Sequence, residues 1–334
     1  MRRKILICHI INTNTGMIGR VEFMPSPKDS PESGCWSLTE SIDFASSEMS
    51  QQDFSFTLWD VDHGLCIWIQ TPNGQNHWID CKKTDGFSPS EHVKKNHEVS
   101  RLDYLIVSHP DTDHINDLPN IVKALGKPRA LYRNKTLPDS EKFKSGSLEC
   151  QTVYKELDTT YTSPVKPEND PHNLVVNGGV DIQVGYNAYS QEMSGNNTSV
   201  VAFYHYAGWL FVCPGDIEDG GWKKLWQARK ADFELLISKS KWRVLVAPHH
   251  GRTSGYSQDM MDNIKPHLVI VSDAAGQSET DRRFRENPPG LKIKVAPESE
   301  ARLWKYLSTK GGGRVRFDIS GTGSYKIHQY EYWG

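Results

Sequence analysis

The sequence predicts a mixed α/β fold in which two β-sheets pack face to face and helices cover their outer faces. Two series of apolar, strand-like runs support this prediction, one within residues 54–107 and one within residues 180–272. Segments with helical spacing lie after the first series, at residues 118–125, and within the second, at residues 220–237. Because sheets and amphipathic helices must each bury an apolar face, this order of elements favours layered packing around one interior.

The first fifty residues differ from the rest in composition. Residues 12–52 are rich in Ser, Thr, Gly, Pro and Glu and show little apolar periodicity, which is typical of a loose extension. The alternation of a half-buried strand begins at Phe54. We therefore predict a loosely structured N-terminal extension over residues 1–52 and one domain over residues 53–334.

Within the predicted domain, turn and strand signals follow one another in order. Residues 71–74 place Asn-Gly between two β-rich runs and predict a hairpin. Residues 118–125 predict a helix that ends at a glycine, and residues 135–168 predict an irregular polar region. Residues 314–330 contain two β-like runs separated by Gly-Thr-Gly.

Length and charge limit the classes of function. The chain has 334 residues and a formal net charge of −2, so its overall charge attracts neither nucleic acid nor anionic lipid. Six scattered cysteines without a CxxC pair favour free thiols in a reducing compartment. No apolar run has the length of a membrane span, and we predict a cytoplasmic protein that does not contact a membrane.

The densest group of chemically active residues follows the apolar run 102–107. Residues 108–114 read Ser-His-Pro-Asp-Thr-Asp-His, with two histidines and two aspartates in six residues. Crowded imidazoles and carboxylates are costly to desolvate unless a cation neutralises them. A charged surface turn would explain the two aspartates alone, but the flanking histidines favour a metal site and hence a metal-dependent hydrolase.

Other strand-like runs also end in residues that can bind metal. Asp80, Asp216 and the pair His249-His250 each directly follow such a run. A lone aspartate there is more often a cap than a ligand, whereas capping does not explain a His-His-Gly sequence. If these strand ends meet at one edge of the sandwich, they supply ligands suited to zinc or manganese. Two ions bridged by one carboxylate can hold a hydroxide and support phosphodiester hydrolysis.

These motifs together resemble the metallo-β-lactamase superfamily, and more narrowly its branch that is similar to the hydrolase domain of the DNA-uptake protein ComEC. The superfamily usually has HxHxDH, and Asp111 in place of the second histidine is typical of the ComEC-like branch. The order of the motifs agrees from Phe54 to Ser272. The other resembling motifs are Trp59–Gly64 (DVGxG), Ile79–Cys81 (IDCG), Asn197–Val201 (NxxSVV), Pro214–Glu218 (GD) and Ala247–Gly251 (PHHGS).

The resemblance implies a four-layer αββα sandwich that binds two divalent metal ions, zinc or manganese. It also implies which residues are ligands. His249 is preferred from the histidine pair because it directly leaves the strand, and His250 would then face the substrate. The implied ligands are His109, Asp111 and the bridging Asp216 for one metal, and Asp113, His114, Asp216 and His249 for the other.

The same resemblance implies the remaining site residues. Asp80 would brace the loop of the main motif, and it is grouped with Asp113 and His250 as a candidate catalytic residue. Candidate substrate-binding residues are Asn197, Ser199, Arg252 and Ser254. Asn197 and Ser199 stand where other superfamily members place a third histidine, so the first metal would be more open.

The sequence departs from the superfamily pattern mainly at glycines. Lys82 replaces the glycine after Ile-Asp-Cys, Asp62 replaces the one expected in the first motif, and Asn116-Asp117 replace the Gly-Gly that usually follows. Arg252 replaces the serine of PHHGS. These changes affect the pocket lining rather than the ligand set, so they leave the substrate open.

The leading hypothesis is a phosphodiesterase or nuclease that acts on DNA, single-stranded DNA in particular, through hydroxide held at a dinuclear centre. ComEC-like relatives are associated with degradation of a DNA strand. The membrane channel of those relatives does not occur in this sequence, which argues against DNA uptake itself, and a partner protein would be one means of delivery. Basic and aromatic residues alternate at 239–243 and 282–285; such runs bind phosphate backbones but are more often solvated surface.

Two other functions stay open at this point. One is hydrolysis of a small phosphodiester, an ester or a lactone on the same metal centre. The other is a non-catalytic binding subunit, because some superfamily members have lost ligands. That second alternative predicts gaps in the ligand set, and the sequence shows none beyond the variation of the branch.

Overall fold

The computed structural model describes residues 6–13, 16–23, 52–274, 280–298, 300–310 and 313–330. The chain divides into two compact units, residues 1–47 and residues 48–334. In the first unit, β1 (Leu6–Thr13) and β2 (Gly16–Phe23) pair in antiparallel fashion. The other residues before Gln52 lie outside the described residues, so the loose extension over residues 1–52 stays a prediction.

The described part of the second unit contains sixteen strands and eight α-helices. The strands are β3 (Phe54–Leu58), β4 (Cys66–Gln70), β5 (Asn76–Cys81), β6 (Tyr104–Ile106), β7 (Ala130–Tyr132), β8 (Asp181–Gly185), β9 (Val201–Tyr206), β10 (Trp209–Cys213), β11 (Trp242–Val246), β12 (Leu268–Val271), β13 (Leu291–Ile293), β14 (Val295–Ala296), β15 (Arg302–Trp304), β16 (Tyr306–Ser308), β17 (Arg314–Ile319) and β18 (Tyr325–Tyr330). The α-helices are α1 (Pro89–Asn96), α2 (Thr112–Ile115), α3 (Leu118–Leu125), α4 (Asp139–Lys142), α5 (Leu148–Thr160), α6 (Asp219–Lys239), α7 (Gln258–Ile264) and α8 (Arg283–Glu286).

Two large sheets face each other across an apolar interior. The first has eight strands in the order β14-β18-β17-β3-β4-β5-β6-β7, and the second has six in the order β16-β12-β11-β10-β9-β8. Successive side chains of a strand point to opposite faces, so Phe54 and Phe56 of β3 both join the interior between the sheets. There the Phe56 ring stacks on Phe211 of β10, with centroids 4.4 Å apart.

Helices cover both outer faces, which completes four layers. Val93 of α1, Ile121 of α3 and Leu157 of α5 pack on the outer face of the first sheet. Trp222 of α6 and Met260 of α7 pack on the outer face of the second sheet. Burial of apolar surface in three contiguous layers is the main stabilisation of such a fold. The predicted αββα sandwich is confirmed.

Two helices, α4 and α5, occupy a region for which the sequence pattern predicted irregular structure. Helix α5 lies within residues 135–168, so that prediction is wrong for this segment. Cys150, Tyr154 and Leu157 recur at helical spacing and are buried, while polar residues cover the other faces. Ser147 caps the helix, because its hydroxyl accepts a hydrogen bond from the Cys150 N–H at 3.2 Å.

The structure also bears on the expectations about membranes and cysteines. Across the described ranges, no helix combines the length and the apolarity needed to cross a bilayer. The cysteines whose side chains are described, Cys66, Cys81, Cys150 and Cys213, are all buried free thiols. The cytoplasmic location stays a prediction.

The loops that carry the polar motifs meet at one edge of the sandwich. Strands β5 and β6 are parallel, as are β10 and β11, so the carboxyl ends within each pair lie side by side. Backbone hydrogen bonds then join the loops, from Val200 N–H to the Ser108 carbonyl at 2.8 Å and from His249 N–H to the Gly215 carbonyl at 3.1 Å. The expectation that the strand ends converge is confirmed.

Candidate metal centre

The loop after β6 turns directly into the short helix α2, which presents several ligand-type side chains together. The backbone N–H of His114 donates to the Asp111 carbonyl at 2.9 Å, which closes the first turn. His109 and His114 are buried, whereas the side chains of Asp111 and Asp113 are each about one quarter exposed. The tight turn therefore places two imidazoles inside and two carboxylates at the rim.

Four residues from three loops form a compact group, called here the inner cluster: Asp113, His114, Asp216 and His250. Each offers one ligand atom, and these atoms all lie within 4.8 Å of one another. His114 Nε2 lies 3.3 Å from Asp216 Oδ1, and His250 Nε2 lies 3.3 Å from Asp113 Oδ2. Ligand atoms about 2.1 Å from a tetrahedral zinc ion are about 3.4 Å apart, so these separations suit one divalent ion.

The bonding state of the imidazoles also suits a metal. His114 Nε2 and His250 Nε2 are buried and have no hydrogen-bond partner, and a buried polar nitrogen in that state is normally satisfied by some other group. Burial opposes a charge on His114, yet the carboxylates of Asp216 and Asp80 raise its pKa well above the usual value. The surroundings therefore favour a positive charge here, and a divalent cation supplies one.

Asp216 stays ionised despite its burial. Burial alone would raise its pKa, but His114 and His250 outweigh that effect and hold the pKa of Asp216 well below its usual range. Ser199 is fully buried beneath it, and its hydroxyl accepts a hydrogen bond from the Asp216 N–H at 3.3 Å. Gly215 has φ +58°, and a Cβ there would lie 2.7 Å from the Ser108 Cβ, so the close approach of these loops requires glycine.

Asp80 lies behind His114, at the position that the resemblance implies for a bracing residue. Its Oδ2 lies 2.7 Å from His114 Nδ1, and its Oδ1 accepts the Ser108 N–H at 2.7 Å. Because a carboxylate only accepts hydrogen bonds, His114 Nδ1 is the donor and Nε2 is left as the ligand atom. Such a carboxylate–histidine pair fixes the tautomer and orientation of a metal ligand.

The histidine pair adopts an unusual backbone that separates its two rings. His249 and His250 have φ +50° and +54°, and two consecutive residues other than glycine in the left-handed region indicate local strain. As a result, His250 is buried in the inner cluster, while His249 lies beyond it, about one fifth exposed. The geometry therefore reverses the predicted preference: His250, and not His249, joins Asp113 and His114.

A second set of ligand-type residues lies on the other side of Asp216 and is called here the outer group: His109, Asp111 and His249. His109 Nε2 lies 3.6 Å from Asp111 Oδ2 and 3.8 Å from Asp216 Oδ2. His249 Nε2 also lies 3.8 Å from Asp216 Oδ2. The outer group shares Asp216 with the inner cluster, but its members approach each other less closely.

The predicted substrate-binding residues have different surroundings. Asn197 contacts the start of α6, where its Oδ1 accepts the N–H groups of Glu218 and Gly221 at 3.0 Å. The hydroxyl of Ser254 lies 2.8 Å from His249 Nδ1. Asn197 and Ser254 therefore contact other residues of the protein, and Ser199 is buried. Direct substrate binding by Asn197 and Ser199 stays a prediction, and these contacts do not favour it.

Two residues beside the ligands were not singled out from the sequence. His63 Nε2 lies 3.3 Å from Asp113 Oδ2, and the Arg252 guanidinium lies 3.2 Å from the same His63 nitrogen. Lys144 Nζ lies 3.5 Å from Asp111 Oδ1. The Trp59–Gly64 motif contains His63 and was a usable signal, whereas Lys144 stands in no motif.

The loop that carries His63 is held against α2 by the backbone. The Leu65 N–H donates to the Asp113 carbonyl at 3.0 Å, and a Cβ on Gly64 would lie 2.4 Å from that carbonyl oxygen. Asp62, at a position where the resemblance expects glycine, has φ +58°. The turn geometry is thus kept without that glycine.

Comparison with known families agrees with this geometry. The family model of the metallo-beta-lactamase superfamily matches residues 89–211. The matched segment is therefore similar to the metallo-β-lactamase superfamily. No curated protein matches the sequence. The matched segment includes the loop after β6, and the metallo-β-lactamase superfamily together with the inner cluster indicates a metal-dependent hydrolase.

Proposed function

We propose that this protein is a metal-dependent phosphodiesterase of the ComEC-like branch that acts on DNA, with single-stranded DNA preferred. One observation carries the proposal: Arg252 lies against His63 at the inner cluster and, among the residues that the structure describes, pairs with no carboxylate. A guanidinium in that position favours an anionic substrate. A phosphodiester is anionic, whereas a lactone or a simple carboxylic ester is neutral.

The ligand residues would hold the metal ions, and a neighbouring carboxylate orients one of these ligands. The inner cluster would bind one ion, and the outer group with Asp216 would bind a second. Bound divalent ions polarise a phosphoryl oxygen and lower the pKa of water toward neutrality. Asp80 keeps the His114 Nε2 lone pair directed at the cluster, because it accepts the proton of Nδ1.

His63 and Arg252 form the side of the site that would meet the substrate. His63 lies between the Asp113 carboxylate and Arg252, and its ring centroid is 4.4 Å from that of His250. These contacts hold the guanidinium close to the ligands. In this arrangement Arg252 would bind a non-bridging oxygen of the phosphodiester, beside the residues that would hold the metal ions.

The basic surface runs give no independent support for DNA binding. Lys239 pairs with Asp181, and Arg283 pairs with Asp281. Arg243 donates to the carbonyl of Lys265. Because these charges are engaged within the fold, DNA as the substrate depends on the sequence resemblance and on Arg252.

The test compares anionic and neutral substrates with purified protein supplied with Mn²⁺ or Zn²⁺. We expect cleavage of single-stranded DNA and of bis(p-nitrophenyl) phosphate to exceed cleavage of a lactone. Arg252→Ala should raise KM for the phosphodiesters by about 10- to 100-fold, the effect of losing a hydrogen bond to a charged group. Arg252→Lys should raise KM for the phosphodiesters by a smaller factor, because it keeps the positive charge.

The control for this test is Arg302→Ala, because Arg302 lies outside the basic runs, is 59% exposed and pairs with Glu298. It should leave cleavage of the phosphodiesters and of the lactone unchanged. Faster cleavage of the lactone than of the phosphodiesters would overturn the proposal. Equal losses on charged and neutral substrates in Arg252→Ala would also contradict the role given to the guanidinium.

A further inference from the structure

A lysine ammonium lies directly against the outer group. Lys144 Nζ is 3.5 Å from Asp111 Oδ1 and 3.2 Å from Glu141 Oε2. The side chain of Lys144 is 39% exposed, so it reaches the site from the surface. Asp111 Oδ1 is buried and accepts no hydrogen bond, which leaves the ammonium as the charge that faces this oxygen.

The surroundings make room for the ammonium at this place. A Cβ on Gly195 would lie 3.0 Å from Lys144 Nζ and 3.6 Å from Glu141 Oε2. Any larger side chain there would push the lysine from its position. A small cavity between Lys144 and the ligands is lined by His109, Asp111, Leu137 and Thr198.

Among the described residues, no lysine or arginine pairs with Asp113 or Asp216, the two carboxylates of the inner cluster. Its carboxylates face imidazoles, at 3.3 Å for the closest pairs, and imidazole can be a neutral metal ligand. An ammonium cannot be a ligand in its charged form, and it repels a divalent cation that shares its carboxylate. The two sides of Asp216 therefore differ in the charge that a metal ion meets.

We propose that Lys144, anchored by Glu141, sets the affinity of the outer metal position, so that this position fills only at a higher metal concentration than the inner cluster. Lys144 is a positioning residue in this proposal, since it acts on the metal through Asp111. The proposal rests on the metal-dependent part of the proposed function and not on the identity of the substrate. The enzyme would hold one resident ion and exchange the other.

The test is a calorimetric titration of the protein with Mn²⁺ or Zn²⁺ alone, in the absence of substrate. We expect two steps in the unchanged protein, the second weaker. Lys144→Met should tighten the second step by about 10- to 100-fold, the range found for groups that act through a ligand. Lys144→Arg should restore the weak step because it keeps the charge.

Two further variants separate this role from a general effect on structure or charge. Glu141→Gln should weaken the second step, because the ammonium then has Asp111 as its remaining acidic partner. Lys135→Met removes an equal charge from an exposed lysine and should change neither step. Asp111→Asn should abolish the second step and keep the first, which assigns the weak step to the outer group.

Equal affinities for two ions in the unchanged protein would overturn the proposal. A second step that does not respond to Lys144→Met would also overturn it. Because the titration contains no substrate, it measures metal binding even if the protein does not cleave phosphodiesters. Uptake of no metal would refute the inference and the metal-dependent function together.

Discussion

The inner cluster and the outer group lie on opposite sides of Asp216 and differ in how completely they are built. In the inner cluster the imidazoles are buried, the closest ligand atoms are 3.3 Å apart, and Asp80 braces His114 from behind. In the outer group Asp111 faces an ammonium, and His249 is partly exposed and contacts Ser254. Similar residue types at one edge of a sandwich therefore need not give equal sites, because neighbouring side chains decide the net charge and the degree of order at each site.

The largest effect is expected at the residue that the two regions share. Asp216→Ala should remove both metal-binding steps and lower cleavage by about 10³-fold or more, since metal-ion stabilisation of a transition state amounts to several kcal/mol. Metal analysis and a cleavage assay would measure this, with circular dichroism to check folding. Retention of one tightly bound ion would show that the two regions are independent sites.

The next effect separates the neighbouring histidines. His250→Ala should remove the tight metal-binding step and lower activity by about 10²-fold or more, because His250 belongs to the inner cluster. His249→Ala should keep the tight step and lower activity by about tenfold. Titration of both variants under the same conditions is the measurement. If His249→Ala lost the tight step and His250→Ala kept it, His249 and not His250 would be the ligand of the inner cluster.

A smaller effect is expected behind the inner cluster. Asp80→Asn would replace the acceptor of the His114 Nδ1 proton and should weaken the first metal-binding step by about 10- to 100-fold. Asp117→Asn is a matched control, because Asp117 is also buried and accepts hydrogen bonds from Ser88 and Ser90. It should lower stability without changing metal affinity. If both variants lost metal equally, the contrast would reflect folding rather than bracing.

The smallest effect at neutral pH is expected at His77, which lies between the sheets. Burial lowers the pKa of His77 to about 3, whereas the unfolded chain binds that proton near pH 6.5. The unfolded state therefore binds more protons between these values, and stability present above pH 6.5 is lost as pH falls, by about 1.4 kcal/mol per pH unit.

Replacing His77 separates the stability that is lost when this buried histidine is protonated from the stability that is lost when metal dissociates at low pH. His77→Gln should flatten the dependence of the unfolding free energy on pH between about 3 and 6.5 and leave metal uptake at pH 7 unchanged. Urea unfolding at a series of pH values is the measurement. An unchanged slope would mean that the acid sensitivity belongs to the inner cluster or to other buried groups.

Much of the fold was predictable because its signals are local. Alternation in Phe54–Leu58, the Asn-Gly turn before β5 and the glycine that ends α3 each predict an element from a few neighbouring residues. The polar residues after β6, β10 and β11 were predictable as one site, because parallel strands bring their carboxyl ends to one edge. Helix α5 was missed because its narrow buried stripe is hidden among polar residues.

The parts of the site that could not be predicted depend on contacts between distant segments. The positive φ angles of the histidine pair decide which imidazole turns inward, and no local propensity indicates them. His63 reaches Asp113 because the backbone of its loop bonds to α2. Lys144 reaches Asp111 from a segment that carries no motif. Each of these is a tertiary contact rather than a pattern.

Anomalous X-ray diffraction from crystals of the protein loaded with one equivalent of Zn²⁺ would locate the tightly bound ion. We expect one peak surrounded by Asp113, His114, Asp216 and His250, with ligand distances of about 2.0 to 2.2 Å. A peak first among His109, Asp111 and His249, or at a place away from Asp216, would contradict this expectation.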